Sequence, residues 1–214
     1  MGRTLGAVCK RCRREGVKLF LKGARCENAS VCAMEKRPTA PGMHGLKRGK
    51  LTDYGIHLRE KQKVKTFYGV LEKQFRKYYQ MAERSKGNTG KVLMTLLERR
   101  LDNIVYRLGF ATSRNQARQI IAHGHLLLNG KFLDIPSYLV RPGDVISVKN
   151  KKGSLELVQL ALDAKVSERP EFLEFAVNES AGAKIPTGTV LREPAADDVS
   201  IKVEPQLIVE LCSR

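Results

Sequence analysis

Tryptophan is absent from this 214-residue chain, and aromatic residues make up only 6 % of it. A core must therefore be built mainly from aliphatic side chains. No apolar run approaches the roughly 20 residues a membrane span needs, and no basic-then-apolar leader opens the chain; a soluble cytoplasmic protein is expected. Acidic residues are scarce, 22 against 39 Lys and Arg, which gives a formal charge of +17 and a pI near 9.9. That magnitude points to a polyanionic partner. A membrane surface fits less well, because the basic helices lack a broad exposed apolar face. Catalytic signatures are also missing: there is no Walker-type phosphate loop, no nucleophile elbow and no His-Glu-x-x-His. Asp197-Asp198 is an isolated acidic pair that reads as solvated, so no enzyme is expected. There is no internal repeat.

The charge is unevenly distributed. Lys and Arg outnumber Asp and Glu by ten in residues 1–50, by seven in 51–100 and by three in 101–150, whereas acids lead by three in 151–214. A polyanion should meet mainly the first 150 residues, leaving the last third free to face protein. Residues 1–45 are rich in Cys, Lys, Arg, Gly and Pro with little sustained periodicity, and 37–50 should be irregular. Asp53 can cap a helix that runs through LREKQKVKTFYG to a stop at Gly69. A further helix carries Leu71, Phe75, Tyr78 and Tyr79. Lys86–Gly90 is a loop into a helix over 91–108. Beyond residue 150, LELVQLALDAKV looks helical, while VSIKV and QLIVEL look like short strands.

Cys9, Cys12, Cys26 and Cys32 form Cys-x2-Cys-x13-Cys-x5-Cys. Two thiolates three positions apart reach one ion from a tight knuckle, and a second pair completes the tetrahedral shell of structural zinc. Lys10, Arg11, Arg13, Arg14 and Arg25 would offset the double negative charge of a four-thiolate site and lower the thiol pKa values. Zinc would also explain how a segment so poor in large apolar residues holds its shape. A disulfide, an iron–sulfur cluster and free thiols are the alternatives, and His44 could replace one ligand. Four protein ligands leave no open position, so the site reads as structural. Cys212, in an apolar strand, reads as a buried thiol.

Residues 97–149 are the most informative. Leu97, Leu101, Ile104, Val105 and Leu108 share one helix face, with Arg100, Asn103 and Arg107 on the opposite side. Ser113 is placed to cap a second helix with Ala117, Ile120 and Ile121 inside and Arg114 and Arg118 outside. Asn129-Gly130 then signals a two-residue hairpin turn between Leu126–Leu128 and Phe132-Leu133. Arginines held by rigid elements suit phosphate recognition.

These residues resemble the RNA-binding module named after small-subunit ribosomal protein S-four, through Leu97-Glu98, Arg100–Asn103, Val105–Phe110, Ala117–Gln119, His123–His125 and Asn129-Gly130. The module also occurs on RNA-modifying enzymes and a synthetase. The resemblance nevertheless continues through Met1–Arg3, Arg13–Gly16, Pro41–Gly45, Leu58–Lys63, Tyr68-Gly69, Glu72–Phe75 and Gln206–Leu211. The chain thus resembles the full-length bacterial S-four family in its zinc-bearing, four-cysteine form; residues 161–203 match weakly. Two rivals are an RNA-modifying enzyme, which lacks a catalytic motif here, and a zinc-finger DNA-binding factor, whose recognition helix would fall in a Pro/Gly-rich segment.

The resemblance implies a protein that binds a multi-helix junction in the five-prime domain of small-subunit ribosomal RNA early in assembly. It implies that Arg100, Asn103, Arg107, Arg114, Arg118, His123 and His125 line the RNA face of the module. Arg3, Arg13, Arg14, His44, Lys47, Arg48, Lys50, Arg59, Lys61, Lys63 and Arg76 are the further candidates for RNA contact. Lys47, Arg48 and Lys50 correspond to a family loop near the path by which messenger RNA enters, and the C-terminal segment would face neighbouring small-subunit proteins. The expected fold is α+β: a mainly helical N-terminal domain with a zinc knuckle, plus an inserted module of two helices on a small antiparallel sheet. The expected divisions are 1–45, 46–96, 97–160 and 161–214, the last returning to the helical body.

Overall fold

A computed structural model describes residues 6–46, 49–164, 169–180 and 183–213. It divides into two compact units, Met1–Met94 with Ser200–Arg214, and Thr95–Val199. Helices dominate the first unit and an antiparallel sheet anchors the second, an α+β composition.

The first unit begins with three short helices, α1 (Val8–Glu15), α2 (Ala24–Glu27) and α3 (Ala33–Lys36). Arg13 fastens this segment by donating from Nε to the Thr39 carbonyl (2.8 Å), and Arg14 donates from Nη2 to the Pro41 carbonyl (3.2 Å). The long helix α4 (Asp53–Tyr68) is capped by Thr52, whose Oγ1 accepts from the Gly55 amide at 3.2 Å. Asp53 is therefore not the cap but the first helical residue, where its charge complements the helix dipole. Gly69 closes α4 in the left-handed region, φ 64°, as its position suggested. Helix α5 (Glu72–Glu83) buries Phe75, Tyr78, Tyr79 and Ala82 on one face.

The expected continuous helix over 91–108 is two helices, α6 (Thr89–Glu98) and α7 (Leu101–Leu108). Arg100 is extended (φ −64°, ψ 136°) and bridges antiparallel to Leu139. The Leu101 and Asp102 amides donate to the Tyr138 and Pro136 carbonyls at 2.9 and 3.0 Å. A neighbouring strand-like segment thus supplies acceptors for amides that a helix start leaves unpaired, which makes the break stable.

Helix α8 (Arg114–Ala122) is capped by Ser113, whose Oγ accepts from the Gln116 amide at 3.3 Å. Strands β1 (Leu126–Leu128) and β2 (Lys131–Phe132) turn through Asn129 and Gly130, both at positive φ (50° and 76°), the hairpin read from the sequence. Strand β3 (Val145–Val148), helix α9 (Lys152–Asp163) and the long hairpin β4 (Leu173–Ser180)–β5 (Ala183–Val190) complete a sheet ordered β2-β1-β3-β5-β4. The core of this unit joins Leu101, Ile104, Val105 and Leu108 to Ala117, Ile120, Ile121, Ile146, Val148 and Phe172.

The division at residue 160 therefore shifts to 199: β5 pairs with β3 and carries residues 173–190 into the second unit's sheet. The two strands expected near the C-terminus do not form. QLIVEL lies in helix α10 (Pro205–Ser213), which starts with proline at its first position, where the missing N–H costs nothing, and buries Ile208. Residues 199–203 have no strand pairing. Cys212 is consequently a half-buried helical thiol, not a fully buried strand residue.

Candidate nucleic-acid interface

In the second unit, most of the arginines expected on an RNA face turn inward. Arg100 and Asn103 are 0 % and 1 % exposed, and Arg114 is also buried. Arg100 donates to both carboxylate oxygens of Asp102 (Nε–Oδ1 3.0 Å, Nη2–Oδ2 2.6 Å), and Arg118 stands 3.7 Å from the same carboxylate. Glu98, fully buried, accepts from Asn103 Nδ2 at 2.6 Å and from Arg107 Nη2 at 3.1 Å. Arg107 also donates to the Asp198 carbonyl (2.7 Å), while Arg114 donates to Asn103 Oδ1 (2.9 Å) and stacks over Tyr106. Two buried carboxylates thus hold three guanidinium groups directly, and a fourth, Arg114, joins them through Asn103.

This corrects the sequence reading for Arg100, Asn103 and Arg114. Helical spacing put Arg100 and Asn103 opposite the aliphatic face of α7 and Arg114 on the outer side of α8, but Arg114 reaches across to Asn103 and the 136–139 segment pairs with the start of α7. A buried charge must be paired, and Asp102 serves Arg100 while Glu98 serves Asn103 and Arg107. Arg107 and Arg118 keep 12 % of their side-chain surface exposed. They are the two members of this network that reach solvent.

His123 is exposed, whereas His125 is half-buried with Nδ1 2.9 Å from Ser154 Oγ. Burial first, then the nearby charges of His123, Lys149 and Lys151, hold the His125 imidazole below its usual pKa. It therefore favours the neutral ring that pairs with the hydroxyl. Those lysines mark a basic cluster the sequence reading overlooked: Lys151 and Lys152 are exposed and Lys149 partly so, at the junction of β3 and α9. The signal was the run Lys149-Asn150-Lys151-Lys152.

In the first unit, Arg76 projects from α5 with 74 % of its side chain exposed. Lys73, three residues before it, and Lys77, one after it, are both exposed on the same helix and were also overlooked. His44 and Lys50 are exposed. Arg13 and Arg14 hold the 39–41 segment, and Arg59 binds Glu15 at 3.0 Å. Lys61 is buried and, with Lys65, clamps Glu72 at 2.6 Å each. Lys63 pairs with Glu60 along α4. Lys61 accordingly serves the fold and not an outward face. Arg3, Lys47 and Arg48 lie outside the described residues.

The four N-terminal cysteines carry free thiols; Cys12, Cys26 and Cys32 are buried and Cys9 half-buried. Cys9 and Cys12 sit one turn apart on α1 instead of in a tight knuckle. Lys22 N donates to Cys26 Sγ at 3.3 Å, and the Leu19 amide to Cys12. Burial, reinforced by the other cysteines, pushes the Cys12 thiol above its usual pKa, and burial does the same for Cys26. Among the described residues, no three His, Cys, Asp or Glu side chains are gathered in ligating geometry. The cysteines are near enough for Cys9, Cys26 and Cys32 to act on the Cys12 thiol. No helix is long and apolar enough to cross a membrane among the described residues.

Comparison with known proteins spans the whole chain. The family described as Ribosomal protein S4/S9 N-terminal domain matches residues 3–98, and the S4 domain matches 99–146. The protein called small ribosomal subunit protein uS4 in Thermoanaerobacter pseudethanolicus is 51 % identical over 214 residues, covering all of both chains. Those of Thermus thermophilus and Thermodesulfovibrio yellowstonii are 50 % and 49 % identical over 216 residues, again covering all of both chains.

Proposed function

This chain belongs to the ribosomal protein S4 family, and we propose that it is a structural, non-enzymatic protein of the small ribosomal subunit whose task is to bind ribosomal RNA in the cytoplasm. The observation that carries this reading is the end-to-end identity of about half with relatives of that name, on a chain bearing +17 of charge. Lysines and arginines neutralise closely packed phosphates and release counterions, while a rigid surface selects one RNA shape.

The finer reading is that it binds a junction in the five-prime domain early in assembly. Exposed groups support the contact: Arg76 with Lys73 and Lys77 on α5, His44 and Lys50, His123 with Lys151 and Lys152, and the solvent-reaching edges of Arg107 and Arg118. The buried network places those two arginines with little conformational freedom, so phosphate binding costs little ordering entropy. Contact with messenger RNA through Lys47, Arg48 and Lys50, and with neighbouring small-subunit proteins through the less basic C-terminal third, belongs to the same proposal. So does one structural zinc on Cys9, Cys12, Cys26 and Cys32. Its support is the four-thiol donor set, the mutual influence of the sulfurs and the amides already donating to two of them.

Nuclease or hydroxyl-radical footprinting on small-subunit ribosomal RNA tests the function. Protection confined to one junction is expected, and affinity should fall by roughly three to five orders of magnitude between 50 and 200 mM salt for six to ten phosphate contacts. Protection scattered evenly over the RNA would overturn junction-specific binding.

A further inference from the structure

The first unit contains a concave basic cavity of about 360 Å³ between α1, α4 and the start of α5. Five cations line it, Lys10, Arg11, Arg14, Arg59 and Lys65, against two carboxylates, Glu15 and Glu72. Each carboxylate has a close partner: Glu15 takes Arg59 at 3.0 Å, and Glu72 takes Lys65 at 2.6 Å. The lining as a whole carries a formal charge of +3. Leu71, 39 % exposed, adds apolar surface, Val70 being buried, while Gln62 and Thr66, one helical turn apart on α4, add an amide and a hydroxyl.

We propose that this cavity takes a single unpaired nucleotide, its phosphate among the lining cations and its sugar or base against Leu71. The inference rests on the RNA-binding reading and deepens it, because it adds an inserted residue to a surface contact. A duplex presents a convex face too broad for so small a concavity, which lies at the lower end of small-ligand pockets. Unpaired nucleotides are the part of a folded RNA that can enter such a site, where base and phosphate are both within reach. A phosphate alone would leave Leu71, Gln62 and Thr66 without a role. An acidic peptide would satisfy the cations but offers no flat ring for Leu71.

Two-dimensional NMR of the full chain, titrated with uridine 5′-monophosphate, uridine, inorganic phosphate or an aspartate-rich peptide, tests this. The monophosphate should give saturable shifts at Lys10, Gln62 and Thr66 at concentrations at least about fivefold below those needed for phosphate. Lys10→Ala and Gln62→Ala should each weaken it roughly threefold to tenfold. Equal response to phosphate, shifts spread over all basic surfaces without saturation, or tighter binding of the peptide would each overturn the proposal. Ribosomal RNA binding measured in parallel separates the two readings. RNA binding with a silent cavity removes the nucleotide site alone, whereas a responsive cavity without RNA binding keeps the site and removes the ribosomal reading.

Discussion

Arg100 and Asp102 meet through two hydrogen bonds with side chains 0 % and 1 % exposed, at the point where α6 ends and α7 begins. The pair fixes the helix break, because Arg100 is also the residue that bridges to Leu139.

Arg100→Ala should unfold the second unit more readily, by about 3–5 kcal/mol, since it leaves the Asp102 charge buried with only the more distant Arg118 to offset it. Denaturant unfolding measures this. Unchanged stability with weakened RNA binding would return Arg100 to the role its helical spacing suggested.

Arg76→Ala should behave in the opposite way. With 74 % of its side chain in solvent and only a 3.4 Å contact to Glu72, its loss should change stability by less than about 0.5 kcal/mol. It should lower the slope of log affinity against log salt by about one if Arg76 meets a phosphate. An unaltered slope removes α5 from the interface.

Glu72 should make acid stability measurable at one position. Burial alone would raise its pKa, but hydrogen bonds from Lys61 and Lys65 and their charges outweigh that and bring it from 4.5 to about 2. The folded state thus releases this proton more readily than the unfolded chain, so the contribution is full above pH 4.5 and disappears as pH falls through 2. The stability gap between the protein and Glu72→Gln should be constant at neutral pH and close across that window. With 40 % of the Glu72 side chain exposed, solvent screening keeps the gap modest. A gap independent of pH would show that the lysine clamp is not electrostatic.

Elemental analysis of protein purified without chelator should find about one zinc per chain. Replacing Cys26 or Cys32 with Ser should abolish it and loosen residues 6–46 in hydrogen exchange. Metal-free protein with equally protected amides in that segment would refute the zinc proposal.

The sequence by itself determined several features held by local chemistry. Ser113 caps α8, Gly69 ends α4, and Asn129-Gly130 closes the hairpin, because each needs only a side-chain oxygen or a permissive φ within a few residues. The charge gradient and the family resemblance, and with them the kind of partner, were likewise present in the one-dimensional chain. Tertiary structure decided what periodicity cannot express. The period of α7 distinguished an aliphatic side from a polar one, but only tertiary packing revealed that both are covered, so that Arg100 pairs with Asp102, Asn103 with Glu98, and Arg114 with Asn103 instead of facing outward. Alternation of Leu173, Phe175 and Val177 with Glu174, Ala176 and Asn178 carried a faint strand signal. Its meaning came only from β5 pairing with β3 across some forty residues. QLIVEL, apolar enough for either state, became a helix beside α4. A short apolar segment takes the conformation whose backbone partners are within reach, and distant parts of the chain supply those partners.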